Sequence, residues 1–233
     1  MANVFGNAYG LTVLSPIRNG LVAGREISHA DLVRDLLQSW NQEFNSPMAL
    51  VPETYLCRFF VLDDVVTESL PGGCAPDTWS DYLPVVPDGL RRSVMPVEEH
   101  LQSAYLVFTT NFHCGPSGEP DAYLRGMWEA INQRIREVWQ HCYGFERVQD
   151  ARSFTAYIRQ CQLKTSLFFV GSNDLPLAEQ LKALYLKQEF ARFATAHQGL
   201  PAAELRARYR EFMHKVQAEH VQSPTWAPGQ YRL

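Results

Sequence analysis

The residues best placed to do chemistry interrupt apolar, strand-like runs: Arg58 within Tyr55 to Leu62, and Asn111 and His113 at the end of Ala104 to His113. An arginine presents a planar fork of donors that binds an anion or polarises a developing oxyanion. An asparagine beside it can donate a hydrogen bond to the same oxygen. A histidine titrates near neutral pH and can serve as general base or metal ligand.

Whether these three meet is a question of pleat. Side chains alternate across a strand, so Tyr105, Val107, Thr109, Asn111 and His113 share one face and Ala104, Leu106, Phe108 and Phe112 the other. If Cys57, Phe59 and Val61 meet helices together with Leu106 and Phe108, Arg58 and Phe60 fall on the open face with Asn111. An Arg, an Asn, a Thr and a His over a surface still rich in Phe, Tyr and Leu resembles the lining of a small-molecule pocket. The expected catalytic groups are Arg58, Asn111 and His113, with Tyr105, Thr109 and Phe60 contacting substrate. The bland alternatives are that Arg58 pairs with Asp63 or Asp64 at its strand end and that His113 is an exposed residue before a turn.

Other constellations are weaker. Asp63 and Asp64 are adjacent, so on a strand they point to opposite faces, and turn capping is expected before cation binding. His141, His197, His214 and His220 lie on or near helices without a metal-ligand partner at i, i+4 on a buried face. The five cysteines are scattered, with no Cys-x-x-Cys pair, which argues against structural zinc or a thioredoxin-type site. No metal site is expected. A Gly-x-Ser-x-Gly elbow, a phosphate-binding Gly-Lys-Ser/Thr loop and a dinucleotide fingerprint are all missing from the sequence.

The elements that must position these residues follow from periodicity. A first strand is expected over Tyr9 to Ile17 and a second over Tyr55 to Leu62. Between them Ser28 N-caps a helix whose face is Val33, Leu36, Leu37, Trp40 and Phe44. Residues 68–100, rich in Pro, Gly and Asp and carrying Trp79 and Tyr82, read as a long insertion with an ordered flap. After the third strand comes the strongest helix, with Pro120 at its start, a stripe from Leu124 to Cys142, and Gly144 as its stop. A short helix near Ser153 to Cys161 precedes a fourth strand, Thr165 to Ser172. Two helices fill 173–220, and 221–233 is a tail.

With 233 residues, 46% apolar and 20% charged, the chain is expected to be one α+β domain. A net charge of −4 with interspersed signs excludes a nucleic-acid footprint. The basic stretch Arg206 to Lys215 alternates with glutamates and reads as a solvated helix surface. No run approaches the ~18 apolar residues of a membrane span, no secretory signal is expected, and odd, scattered cysteines suit a cytoplasmic setting.

The order strand, helix, strand, strand, helix, strand over residues 9–172 resembles the ferredoxin-like sheet of the dimeric α+β barrel superfamily, with helices on one face. That superfamily includes haem-using peroxidases and oxygenases alongside cofactor-free oxygenases, cyclases and isomerases. The resemblance implies an oxidoreductase with a pocket over the open sheet face, using haem held by His113, His197 or His141, with Arg58 and Asn111 on the distal side. It equally implies a cofactor-free enzyme with His113 as base, and the same open face could belong to a ligand-binding or protein-interaction module. A half-apolar open face also suggests a homodimer, with the C-terminal helices as the alternative cover.

Overall fold

The alternating run that ends at His113 becomes the central strand of a sheet. In the computed structural model, which describes residues 3–65, 67–68 and 98–230, the strands are β1 (Val4–Phe5), β2 (Ala8–Pro16), β3 (Thr54–Leu62), β4 (Thr67–Glu68), β5 (Glu98–Glu99) and β6 (Tyr105–His113). Four of them form one antiparallel sheet in the order β1-β2-β6-β3, and β4 pairs with β5 in a separate ribbon. Because β6 lies between β2 and β3, and α1 (His29–Gln42) connects these two, the unit is a split β-α-β.

Register decides the faces. Phe108 lies opposite Val13 on β2 and Phe59 on β3, whereas Thr109 lies opposite Thr12 and Arg58. Cross-strand partners share a face, so Val13, Phe59 and Phe108 point into the core while Thr12, Arg58 and Thr109 point away. The core side is covered by α1, α2 (Asp121–Trp139) and α3 (Ala151–Cys161). The apolar stripe expected on α2 is buried from Leu124 to Trp139. That helix ends at Trp139, and Gly144, at φ +81°, opens the following 3-10 turn instead.

Aromatic rings make much of the core. Phe59 stacks on Phe108 at 4.5 Å, and both meet Trp139 edge-on at 5.8 Å. Phe112 stacks on Tyr123 at 3.7 Å. The Tyr123 hydroxyl lies 3.0 Å from the hydroxyls of both Thr54 and Thr110, so it can donate to one and accept from the other. Burial pushes its phenol up to about 12, which keeps that donor protonated.

Local caps match their sequence signals. The Ser28 hydroxyl accepts from the Asp31 N–H, and Asp150 and Ser153 form a capping box at α3. Asp64 accepts from the N–H groups of Val65 and Leu101 and pairs with His100, tying together the two ends of the insertion. Asp63 pairs with Arg34. The flap expected around Trp79 and Tyr82 lies outside the described residues.

One expected element is corrected. Thr165 to Ser172 is not a strand: Gln162 makes a single bridge to Val13, Leu163 N–H donates to Thr12 C=O, and the chain then leaves the sheet edge. The cause is Asn3. Its carbonyl accepts from Gly10 N–H and its side-chain amide donates to Gly10 C=O, so the next pairing position on β2 is already occupied. With β1 at that edge, the strand order is not a clean ferredoxin-like one; what stands is an α+β fold with a four-stranded antiparallel sheet and five helices among the described residues.

The last two helices, α4 (Leu177–Ala196) and α5 (Ala202–Val216), form a hairpin. Lys182, almost fully buried, donates to the Val216 and Pro224 carbonyls and so holds the tail against the hairpin. Residues 202–211 of α5 are exposed, as the alternating charges suggested. No helix among the described residues is long and apolar enough to cross a membrane.

Replacing Tyr123 with Phe leaves Thr54 and Thr110 without their shared partner. The expected loss is about 1–3 kcal/mol of unfolding free energy, measurable by denaturant titration. An unchanged midpoint would show that the two threonines find other partners.

Candidate functional site

Having left the edge of β2, residues 163–175 cross the open face of the sheet as a strap between α3 and α4. Its first anchor is Thr165, whose hydroxyl accepts from the Asn3 amide at 2.9 Å. At the other end the Asp174 carboxylate accepts from Asn7 N–H, the Asp174 carbonyl from His113, and the Leu175 carbonyl from the Tyr55 hydroxyl at 2.7 Å. The N–H of Asn7 holds the Asp174 carboxyl below the usual range. Burial, reinforced by Glu53 and Asp174, raises the Tyr55 phenol and keeps it a donor.

Between these anchors Phe168 lies on β2 at Gly10. A Cβ on that residue would stand only 2.6 Å from the ring, so only glycine admits so close an approach. Phe168 points in and its neighbours point out: Leu167 is 82% exposed and Phe169 69% exposed. The face expected to need a second copy is thus partly covered by the chain itself.

Strap and sheet enclose a cavity of about 220 Å³. Thr12 from β2, Thr109 and Asn111 from β6, and Leu56 and Arg58 from β3 line the sheet side; Thr165, Leu167 and Phe168 close it from the strap. Neither the Arg58 guanidinium nor the side chains of Thr12, Thr109 and Asn111 make a hydrogen bond or ion pair among the described residues. Arg58 therefore does not pair with Asp63 or Asp64, whose carboxylates are held by Arg34 and by His100.

The structure brings Arg58, Thr109 and Asn111 together as the alternation implied. Phe60, 46% exposed, shares their face one pleat beyond Arg58, and Tyr105 lies at the far end opposite Leu62; neither lines the cavity. His113 also shares the face but stands outside the cavity, donating its Nδ1–H to the Asp174 carbonyl at 2.8 Å. Thr12, Leu56, Thr165 and Phe168 were missed. Gly10 was the available signal, because a glycine within a strand marks a close approach, and Thr12 follows from it by alternation.

The other two histidines are elsewhere. His197 ends α4, stacked on Phe193 at 4.5 Å and bonded to the Phe193 carbonyl. His141, 6% exposed, follows α2, and its Nδ1 lies 2.9 Å from Nδ1 of His29. None of the three candidate haem ligands lines the sheet-face cavity, which is smaller than the ~300–1,000 Å³ of pockets that enclose even drug-sized ligands. The residues around this cavity do not fit a haem.

A larger groove of about 490 Å³ lies along the hairpin, lined by Phe193, His197, Phe212 and charged residues. Each of its Arg and Lys side chains already has a carboxylate partner: Glu189 accepts from Arg192 and Lys215, each at 2.6 Å, and Arg208 pairs with Glu211. The sheet-face cavity differs in keeping its cation unpaired, which makes it the better candidate. Among the described residues no group of three or more His, Cys, Asp or Glu side chains is placed to hold a metal ion. No family model, curated protein or solved structure matches the chain.

Two outcomes follow. Gly10→Ala drives a methyl into the Phe168 ring; strain of about 1–3 kcal/mol is expected, with faster amide exchange confined to residues 163–175. Unchanged exchange there would mean that Phe168 does not hold the strap.

The His29–His141 contact needs one donor and one acceptor, so protonating both rings sets N–H against N–H. Burial lowers both values, helped by Arg18 at His29 and by His29, Arg18 and Arg25 at His141; the nearby Glu146 is engaged with Arg18. The unfolded chain then binds more protons below about pH 6.5, so stability falls as pH drops through that region. A His29→Gln, His141→Gln double variant should flatten the thermal midpoint between about pH 6.5 and 5 and retain the carboxylate-driven loss below about pH 4. An unaltered profile would place the titration elsewhere.

Proposed function

We propose that this chain is a small-molecule-binding protein whose ligand carries an anionic group, seated on the open sheet face beneath residues 163–175. The carrying observation is Arg58, unpaired among the described residues, beside Asn111, Thr109 and Thr12 around a small cavity. An arginine fork matches an anion with two oxygens in one plane, and neighbouring amide and hydroxyl donors complete its coordination. Convergent polar groups fix a ligand's orientation, and Leu56, Leu167 and Phe168 add apolar contacts beside them.

One observation supports a catalytic variant. His113 commits Nδ1–H to the Asp174 carbonyl, which leaves Nε2 as a free acceptor in the neutral ring, the state a general base needs. Because this base stands outside the cavity, binding ranks ahead of cofactor-free oxygenase, cyclase or isomerase chemistry.

The test is calorimetric titration with acetate, methylphosphonate and a trimethylammonium salt as probes. Saturable binding of an anion is expected, and Arg58→Gln should weaken it roughly ten- to hundredfold, the scale of a charge-assisted hydrogen bond. Because Arg58 is exposed and unpaired, the same variant should keep the wild-type thermal midpoint. Equal affinity of the variant, or preference for the cation, would overturn the proposal.

A further inference from the structure

The surface around the cavity mouth says more about the ligand than the cavity does. On β3, Arg58 is flanked two residues away on either side by Leu56, 55% exposed, and by Phe60. Across the mouth the strap presents Leu167, one of the most exposed large apolar side chains described. Such residues gather less often than they scatter on a protein's surface, and a gathered apolar patch marks a binding surface.

The sizes point the same way. The 220 Å³ cavity is below the range that encloses a drug-sized ligand. A molecule of more than a few non-hydrogen atoms with its anion at Arg58 must emerge past Leu56 and Leu167. It then lies over Phe60 on one side and the strap on the other. Beside the seated Phe168, Leu167 borders this exit while remaining largely exposed.

Resting on the anion site proposed above, we infer that the ligand is an amphiphilic monocarboxylate, its head at Arg58 and Asn111 and its aliphatic or aryl tail across Leu56, Leu167 and Phe60. A carboxylate suits the head better than a phosphate, since one guanidinium supplies the single positive charge there and the surrounding threonines and Asn111 are neutral donors. The tail removes from water three apolar side chains that the fold leaves exposed.

The experiment is a titration series of acetate, butanoate, hexanoate and octanoate below micelle-forming concentrations, with octylamine and octyl phosphate as controls. Affinity is expected to rise roughly two- to fourfold per methylene as the tail is buried, with octanoate ahead of both controls. Leu56→Ser and Leu167→Ser, both at exposed positions, should flatten the chain-length dependence, and Phe60→Ser, outside the cavity lining, should reduce it while leaving acetate binding unchanged. Arg58→Gln should weaken acetate and octanoate by the same factor.

Saturable acetate binding with no gain along the series would overturn the tail assignment while leaving the anion site standing. Octyl phosphate binding more tightly than octanoate would overturn the choice of head group. Octylamine binding as tightly as octanoate, unaffected by Arg58→Gln, would reduce the site to an apolar surface and remove both proposals. A thermal midpoint recorded for each variant separates lost binding from lost folding.

Discussion

Everything on this sheet follows from the pairing of β6 on both sides. It is paired with β2 along nine residues and with β3 along eight, so its pleat cannot slip by one residue without turning Leu106, Phe108 and Phe112 out of the core. Burial of those side chains against Trp139, Tyr123 and their neighbours holds the register. The same register sets Thr109 beside Thr12 and Arg58, and Asn111 beside Gly10 and Leu56. The cavity floor is the reverse side of the hydrophobic core and inherits its order from it.

The strap is a second constraint, set on the first. Gly10 lies opposite Asn111 and carries no side chain, so it leaves a gap in the open face that an aromatic ring can enter. Phe168 enters it. Asn3 directs the chain there by satisfying both backbone groups of Gly10 at the edge of β2, where a fourth long strand would otherwise pair. A sheet edge that is already hydrogen-bonded offers no template, and the apolar segment then takes the face in place of the edge.

Charge is distributed unevenly between the sheet and the hairpin. On the hairpin, Arg192 and Lys215 share Glu189 and Arg208 pairs with Glu211, and Lys182 spends its donors on carbonyls of α5 and the tail. On the sheet, Asp63 and Asp64 are held by Arg34 and His100, which leaves Arg58 with no counter-ion among the described residues. An unpaired guanidinium above neutral donors has a positive potential that an anion can satisfy, whereas each Arg and Lys of the hairpin groove already holds a carboxylate.

The sequence by itself determined the three long strands, the helices that cover them and the face to which each strand residue belongs. These depend on periods of two and about 3.6 and on caps such as Ser28, which are local properties. From the period of two came the meeting of Arg58, Thr109 and Asn111. Tertiary structure alone decided the rest. Thr165 to Ser172 has the composition of a strand, and nothing within it records that Asn3, 162 residues away, has taken its pairing position. His113 has the right face, yet its separation from the cavity is set by the Asp174 carbonyl, 61 residues on. His29 and His141 lie 112 residues apart and show no motif, because a contact between two side chains at a helix start and a helix end has no period to betray it. Pleat and helical pitch repeat within a few residues and can be read along the chain; the path of a strap over a face is chosen by partners that the chain reaches only once it is folded.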